Sequence, residues 1–235
     1  MRSRVPLIQS LTRANNYLEI GVANAATFLE VNSPRKTAVD PNFNFDIDKV
    51  AKQEHSKNRN TRFIATASDD FFANHAKDEE YDLIFIDGLH TWDQTYRDFC
   101  SSLHHLNENG VIVIDDTYPS SFETSLRERW HQQIMNAPMF NYSLNWMGDV
   151  YKMIPFLHQF HPNFELATFP VFKENYKTHT VLWKSKNQQR LTKSYKSIGN
   201  HLIKNYEELL INHEIMNFTR SDEELYTILK QSLGR

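Results

Sequence analysis

The sequence is poor in cysteine and glycine, and neither sign of charge dominates it. Only one of its 235 residues is cysteine, Cys100, which excludes an internal disulfide and a zinc site built on several thiolates. A net charge of -3 excludes the strongly basic surface typical of nucleic-acid-binding proteins. No apolar run approaches the roughly 20 residues of a membrane-spanning helix. We therefore expect a soluble, cytoplasmic protein without nucleic-acid or membrane partners.

What is present is enough apolar sequence for a large core, in a regular pattern. Hydrophobic residues make up 40% of the chain, and in its first half short apolar runs alternate with longer amphipathic ones. This alternation is typical of parallel strands joined by crossover helices on both faces of a sheet. The predicted strands are 17–20, 37–39, 63–65, 81–86 and 110–114, and the predicted helices are 25–31, 47–55, 69–76 and 91–106.

The second half departs from this pattern. Helices are predicted over 120–135 and 149–160, and strands over 164–168 and 179–183. The connection between these two strands is long enough for a hairpin, so the last pair can be antiparallel. Residues 140–146 are rich in aromatic side chains, which line an acceptor pocket or fill a core. From Lys186 onward only polar helical sequence is found, and it packs on the sheet, covers a site or pairs two subunits as a homodimer.

Polar residues follow most of the predicted strands. In a parallel α/β sheet, ligands bind beyond the carboxyl ends of the strands, at the point where the strand order reverses. The residues that end the strands are therefore the candidates for a site. They are Glu19, Gly21, Asp40, Ser68, Asp69, Asp87, His90, Asp115 and Asp116.

The first two strand ends carry a glycine and an acid. Gly21 opens the turn after the first strand and lets a ligand approach the backbone, or it merely ends the strand. Ala23 and Ala25 stand where a dinucleotide-binding motif has glycines. Asp40 lies about 20 residues after the first strand, where a carboxylate accepts hydrogen bonds from both hydroxyls of a ribose. Without that context, Asp40 with its following proline is only a turn.

The pair Ser68 and Asp69 follows the third strand. Ser68 suits the N-cap of the next helix, and the pair also suits the exocyclic amine of an adenine. These two interpretations are compatible with each other.

The densest group of chemically capable residues follows the fourth strand. Asp87 and His90 stand within four residues of each other, and histidine is the side chain best suited to accept a proton near neutral pH. The alternative is that Asp87 caps the next helix and His90 is exposed on its first turn. Asp115 and Asp116 end the neighbouring fifth strand. Carboxylates that converge in this way repel each other unless they share a proton or a cation such as Mg²⁺, or unless one of them binds backbone amides instead.

These motifs together resemble those of the class I S-adenosylmethionine-dependent methyltransferases. The segment around the Asp87 motif resembles a bacterial branch of this class with Ile-Asp-Gly-x-His after strand four. The resemblance covers about residues 15–185 and does not extend to 186–235, so we predict a catalytic domain over 1–185 and a helical extension over 186–235. The segments that carry it are 17–22, 39–41, 68–72, 81–91, 113–116 and 146–152.

The resemblance implies a Rossmann-like, seven-stranded, mostly parallel sheet whose last strand is antiparallel, in agreement with the pattern of the last strand pair. It also implies a cofactor site: Gly21, beside Glu19, lies along the methionine part of S-adenosylmethionine, Asp40 at the ribose, and Asp87 near the sulfonium and the transferred methyl group. Ser68 and Asp69 would lie near the adenine.

Related sugar O-methyltransferases imply the chemistry. By that similarity His90 is the general base, with Asp87 at its side, and Asp87, Asp115 and Asp116 are candidate Mg²⁺ ligands. Asp149 would lie on the acceptor side. The expected acceptor is a hydroxyl on a sugar, a glycan or another small molecule.

Two other classes remain as alternatives. An NAD(P)-dependent oxidoreductase also has an acid after the second strand, but the missing glycines and the absence of a Tyr-x-x-x-Lys constellation disfavour it. A non-catalytic binding protein can retain the fold, since fold alone does not establish activity. A protein that only bound a partner would not need Asp40, Asp87 and His90 together, which disfavours this class.

Overall fold

A computed structural model describes residues 3–129, 146–169, 178–186 and 203–234. Seven strands form one sheet in the order β3-β2-β1-β4-β5-β7-β6. β7 runs antiparallel to both of its neighbours, and every other pair is parallel. The strands are β1 Asn16–Ile20, β2 Arg35–Val39, β3 Asn60–Ile64, β4 Tyr81–Ile86, β5 Leu106–Ile114, β6 Phe164–Thr168 and β7 Thr180–Lys184.

Helices cover both faces of the sheet. Two of them have irregular continuations: α4 runs into a π-helical turn, Phe71–His75, and α5 into a 3-10 turn, Leu103–His105. A 3-10 turn, Val150–Met153, leads into α6. Another, His213–Met216, follows α7. The helices of the described residues are α1 Val5–Thr12, α2 Ala26–Glu30, α3 Ile47–His55, α4 Ser68–Asp70, α5 Trp92–Ser102, α6 Ile154–Phe160, α7 Tyr206–Ile211 and α8 Asp222–Leu233.

Two apolar cores result from the alternation of side chains along the central strands. In β4, Ile84 and Ile86 face one core, and Leu83 and Phe85 face the other. Successive side chains of a strand point to opposite faces of the sheet, so a strand buried on both sides is apolar throughout. α5, α6 and α7 cover the first core, whereas α1, α2 and α8 cover the second.

The fold class expected from the sequence is confirmed. The sheet has seven strands, is mostly parallel, and has its last strand in the chain antiparallel. The bounds of α3, β4 and β6 are those predicted. β2, β3 and β5 begin two to four residues earlier than predicted.

Two local predictions differ from the structure. α1 was not expected from the sequence. The helix predicted over 120–135 does not begin at its predicted start, because residues 123–125 form only a 3-10 turn. There the Thr124 hydroxyl donates to the Ser121 carbonyl, and the Ser125 hydroxyl donates to the Phe122 carbonyl. Such local bonds compete with helix formation. Residues 130–135 lie outside the described part of the chain.

The described part of the C-terminal segment packs against both cores. In α7, Leu209 is buried in the core that α5 and α6 cover. In α8, Leu225 and Leu229 are buried in the core that α1 covers. The buried Arg4 guanidinium lies 3.4 Å from the Asp222 carboxylate, so the two ends of the described chain meet. The division at residue 185 stays a prediction. Within the described ranges no helix has the length and apolarity needed to cross a membrane.

Candidate functional site

A cavity of about 720 Å³ opens at the carboxyl ends of β1, β2 and β4. The sheet order reverses between β1 and β4, so the cavity lies at the position where open α/β sheets bind their ligands. Its size is within the range of small-molecule sites. Six predicted cofactor residues and the predicted base line it: Glu19, Gly21, Asp40, Ser68, Asp69, Asp87 and His90.

Gly21 allows the turn after β1 to contact the loop after β4. Its φ is +83°, and a Cβ at this position would lie 1.9 Å from the Asp87 carbonyl oxygen. Neither feature is compatible with a side chain. Ala23 and Ala25, which stand where a dinucleotide-binding motif has glycines, also adopt left-handed conformations, with φ of 45° and 62°. The turn therefore has the backbone of a glycine-rich loop although only its first residue is glycine.

Asp40 fastens this turn to the end of β2. Its Oδ2 accepts hydrogen bonds from the Val22 and Ala23 amides, both at 2.9 Å, and its Oδ1 accepts one from the Asn42 amide at 2.8 Å. A carboxylate has about four acceptor positions, so these bonds leave capacity for one more donor. The sequence indicated the position of Asp40 at the cavity but not its role in holding the turn.

Glu19 lies at the buried end of the cavity wall. Only 2% of its surface is exposed, and its Oε2 accepts a hydrogen bond of 2.6 Å from the Tyr17 hydroxyl. Burial of Tyr17, reinforced by the negative charge of Glu19, raises the pKa of the tyrosine well above its ordinary value. Tyr17 therefore stays protonated and supports the Glu19 carboxylate.

Ser68 and Asp69 lie at the amino end of α4 and are connected to α5 through Gln94. The Gln94 amide nitrogen lies 3.2 Å from Ser68 Oγ and 3.1 Å from Asp69 Oδ1. It lies 2.9 Å from Oδ1 of the buried Asp98. Burial raises the pKa of Asp98 to about 6, against the effect of hydrogen bonds from Ser68 and Gln94.

His90 lies between two carboxylates in the loop after β4. Its Nδ1 is 2.9 Å from Asp116 Oδ2, and its Nε2 is 3.7 Å from Asp87 Oδ1. The Trp146 ring stacks on the imidazole at a centroid distance of 4.8 Å and an angle of 7°. The Trp146 carbonyl oxygen lies 3.2 Å from Nδ1. His90 is thus held on its Nδ1 edge and on one ring face, and it still lines the cavity.

The segment that carries Trp146 is itself fastened to the His90 loop. A Cβ on Gly148, whose φ is +69°, would lie 1.8 Å from the His90 carbonyl oxygen. Asp149 is buried and accepts a hydrogen bond from the Trp92 amide at the start of α5. It also pairs with Arg127 and Lys152. Asp149, expected on the acceptor side, therefore holds the start of α5 in place. Residues 140–145 of the aromatic stretch lie outside the described residues.

Asp115 does not join Asp87 and Asp116. Its carboxylate lies 3.6 Å from Nε2 of His179. His179 is completely buried and directly precedes β7, the antiparallel neighbour of β5. Asp115 Oδ1 also accepts a hydrogen bond from the Asp116 amide. The structure instead brings Asp87, His90 and Asp116 together, with one potential ligand atom from each within 4.8 Å of the others. Of the three metal ligands expected from the sequence, the described geometry groups two, because Asp115 faces the interior.

Sequence reasoning missed three residues that shape this site. Gln94 and Asp98 stand one helical turn apart on α5. Their spacing of four residues places them on one face of the helix, so the sequence could have indicated that they lie together. His179 gave none, because its contact with Asp115 depends on the pairing of β5 with β7. Trp146 was singled out in the aromatic stretch and in the segment 146–152, but its stacking on His90 was not predicted.

Residues 18–117 match the sequence model of a family described as "Methyltransferase domain". No curated protein sequence matches the chain.

Solved methyltransferase structures share the fold at low sequence identity. An O-methyltransferase from Bacillus cereus in complex with SAH is 15% identical, with a TM-score of 0.52 over 77% of this chain and 79% of that one. The SAH-bound methyltransferase PaMTH1 from Podospora anserina is 14% identical, with a TM-score of 0.52 over 77% and 76%. The O-methyltransferase TomG from Streptomyces achromogenes, in complex with SAM, is 13% identical, with a TM-score of 0.50 over 77% of each chain.

The family match spans the Gly21 turn, Asp40, Asp87 and His90, which line the cavity, and Asp116, which lies beside His90. The sheet order places that cavity at its reversal point. The chain therefore contains, over residues 18–117, a match to a methyltransferase domain, and it shares the fold of solved methyltransferases.

Proposed function

We propose that the protein is an O-methyltransferase that methylates a hydroxyl of a small-molecule acceptor, with sugars and glycans included, and that His90 is the general base. The observation that carries the proposal is the position of His90. It lines the cavity, and the Asp116 carboxylate and the Trp146 ring fix its orientation. Two of the structures with the same fold are named as O-methyltransferases.

The charge of the cavity fits S-adenosylmethionine. Four carboxylates line it, and none of its lining residues in the described chain is lysine or arginine. A sulfonium and an ammonium group are cations, which carboxylates stabilise. The pyrophosphate of NAD(P) would instead face like charges. The carboxylates are Glu19, Asp40, Asp69 and Asp87.

We assign the cofactor's parts to these residues as follows. Gly21 and Glu19 would hold the methionine part, Asp40 would accept from one ribose hydroxyl with its remaining acceptor position, and Ser68 with Asp69 would face the adenine. Asp87 would lie nearest the sulfonium. When bound, S-adenosylmethionine supplies a methyl group on a positively charged sulfur. The contribution of the chain is to orient the acceptor hydroxyl and to remove its proton.

His90 can receive this proton at Nε2. With its proton on Nδ1, next to the Trp146 carbonyl and the Asp116 carboxylate, the imidazole carries its basic lone pair on Nε2, the nitrogen nearer to Asp87. Once protonated, the imidazolium lies between the carboxylates of Asp87 and Asp116, which stabilise its charge. The acceptor oxygen would keep the electron pair that forms the bond to the methyl carbon, the electrons of the broken carbon–sulfur bond would leave with the sulfur as S-adenosylhomocysteine, and the proton would stay on His90 Nε2.

The same group offers ligands to a divalent cation such as Mg²⁺. Asp87 and Asp116 provide carboxylate oxygens, which Mg²⁺ prefers. Methyl transfer that requires Mg²⁺ and is lost in Asp116→Asn would support metal assistance. Full activity in the presence of EDTA would assign the group to proton transfer alone.

The His90→Asn variant tests the base assignment. Methyl transfer from labelled S-adenosylmethionine to catechol, a phenolic acid and a uronic acid is measured for the wild type, and the best acceptor is kept. We expect the variant to lose at least about 100-fold in turnover, the lower end of the usual contribution of a general base, and to keep its affinity for S-adenosylhomocysteine.

The exposed His104, at the end of α5 and away from the cavity, provides the matched control, His104→Asn. It should behave as the wild type. Full turnover by His90→Asn would remove the base assignment without affecting the cofactor site.

A further inference from the structure

One wall of the cavity is a hydrogen-bonded network that the methyl-transfer chemistry does not require. Gln94 and Asp98 lie one turn apart on α5 and face Ser68 and Asp69 at the start of α4. Ser68, Asp69 and Gln94 line the cavity, whereas Asp98 is buried behind them with 2% of its surface exposed. The network therefore links a buried carboxyl to groups that a ligand can contact.

The hydrogens of this network are all directed inward. The Gln94 amide nitrogen carries two hydrogens, which the carboxylates of Asp98 and Asp69 accept at 2.9 and 3.1 Å. The Ser68 hydroxyl is hydrogen-bonded to Asp98 and holds the pKa of that carboxyl down, against the effect of burial. An ionised carboxyl only accepts, so the hydroxyl must donate. Ser68 and Gln94 then have no hydrogen left for a ligand.

Arg97 completes the arrangement from the solvent side. Its guanidinium lies 3.2 Å from Asp69 Oδ2 and also donates to the Gln94 side-chain oxygen. Gln94 is thus fixed at both ends of its amide, which sets the direction of its nitrogen. Towards the cavity, Ser68 and Asp69 present oxygen lone pairs.

We propose that Gln94 and Asp98 are positioning residues that keep this wall a surface of hydrogen-bond acceptors, and that they thereby select a nucleoside base with an exocyclic amine over one with a carbonyl. The inference rests on the proposed function, because it takes the ligand to be a purine nucleoside carrying a sulfur-linked chain. Neither residue needs to touch the reacting atoms.

The hydrogen-bond donors of the network predict how two substitutions would change its surface towards the cavity. In Asp98→Asn, the new amide oxygen still accepts from Gln94, whereas the new amide nitrogen donates to Ser68 Oγ, so the Ser68 hydroxyl is released and can donate to a carbonyl in the cavity. In Gln94→Met, the side chain keeps its length but loses both amide hydrogens, so Asp69 is no longer oriented. Both changes should reduce the distinction between an amine and a carbonyl on the base.

The test is calorimetric titration at pH 8, where Asp98 is ionised, with two ligands. S-Adenosylhomocysteine carries the amine, and S-inosylhomocysteine carries a carbonyl in its place. The wild type should prefer the first by at least about tenfold, which corresponds to one hydrogen bond to a charged group. In Asp98→Asn and Gln94→Met this ratio should fall towards one.

Matched substitutions control for general effects on the protein. Asp93→Asn lies on the same helix, outside the cavity lining, and Gln53→Met lies on the exposed side of α3. Both should keep the wild-type ratio. If Asp98→Asn does not fold, as judged by thermal unfolding, Gln94→Met decides the question, because Gln94 lies at the cavity surface.

The outcomes are distinguishable. Binding of S-adenosylhomocysteine by the variants with an unchanged ratio, whether at full or reduced affinity, would overturn the positioning role and leave the proposed function intact. Failure of the wild type to bind either ligand would overturn both proposals. A ratio that falls in the two network variants and not in the controls would establish the role.

Discussion

Gly21 and Gly88 line the same cavity, but the structure predicts that they differ in their tolerance of a side chain. A Cβ on Gly21 would lie 1.9 Å from the Asp87 carbonyl oxygen, at a φ of +83°. A Cβ on Gly88 would have its nearest neighbour at 3.5 Å, on Ile20, which is an ordinary contact. The two glycines therefore form a matched pair for testing the close approach of the loops after β1 and β4.

We predict that Gly21→Ala lowers the affinity for S-adenosylhomocysteine at least about tenfold, because separating the two loops by even 1 Å displaces groups on both walls of the cavity. Gly88→Ala should bind within about threefold of the wild type. Calorimetric titration of both variants checks this. Equal affinities for the two variants would show that the loop contact does not shape the site.

Ala23 carries backbone strain that a glycine would relieve. Its φ is 45°, and its side chain is exposed, so little packing is lost when the methyl group is removed. A left-handed conformation costs a residue with a Cβ about 1–2 kcal/mol, of which the greater freedom of unfolded glycine cancels part.

We predict that Ala23→Gly raises the free energy of unfolding by about 0.5–1 kcal/mol. Ala51→Gly, in the interior of α3, should lower it by about the same amount, since glycine is unfavourable within a helix. Urea unfolding measures both. Destabilisation by both substitutions would contradict the strain at Ala23.

At the scale of elements, the short helix α7 depends on packing rather than on its own length. It has only six residues, and isolated helices of this length are not stable in water. Leu209 is fully buried in the core next to α5 and α6, whereas its neighbour Leu210 is 44% exposed. The two leucines therefore separate core packing from helix propensity.

We predict that Leu209→Ala lowers the free energy of unfolding by about 2–5 kcal/mol, the usual cost of a cavity in a packed core. Leu210→Ala, with the same change in helix propensity, should cost less than about 1 kcal/mol. Denaturant unfolding of both variants tests this. Similar losses would mean that α7 is not anchored through Leu209.

The elements that the sequence predicts well are those with strong local patterns. β4 is apolar in almost every residue because both of its faces are buried, and α3 has apolar residues at helical spacing behind the N-cap Asp46. Residues 120–125 were mispredicted because serine and threonine hydroxyls bind the nearby backbone there. α1 was missed because its buried Val5 and Ile8 are explained only by the cover that α8 provides.

The candidate site could likewise be predicted from the sequence only in part. Asp40, Asp87 and His90 could be placed at one cavity because the ends of neighbouring parallel strands share an edge of the sheet. The directions of their side chains could not be predicted, since they depend on distant residues. His179 turns Asp115 inward, and Trp146 covers one face of His90.

At the scale of the whole molecule, the charge of the cavity and its place in the sheet both indicate a cationic ligand. The protein has a net charge of only -3, yet the lining of its cavity contains four acids and, among the described residues, no lysine or arginine. Such a concentration of carboxylates at the reversal point of the sheet favours a cationic ligand over an anionic one. The ion pair between Arg4 and Asp222 joins the starts of α1 and α8.

The most direct test of this account is a calorimetric titration of the wild-type protein with S-adenosylhomocysteine and, in parallel, with NADH. We predict micromolar binding of S-adenosylhomocysteine and no binding of NADH, because the cavity presents carboxylates where a pyrophosphate would lie. Binding of NADH, or of neither compound, would contradict the assignment of this cavity to the methyl donor.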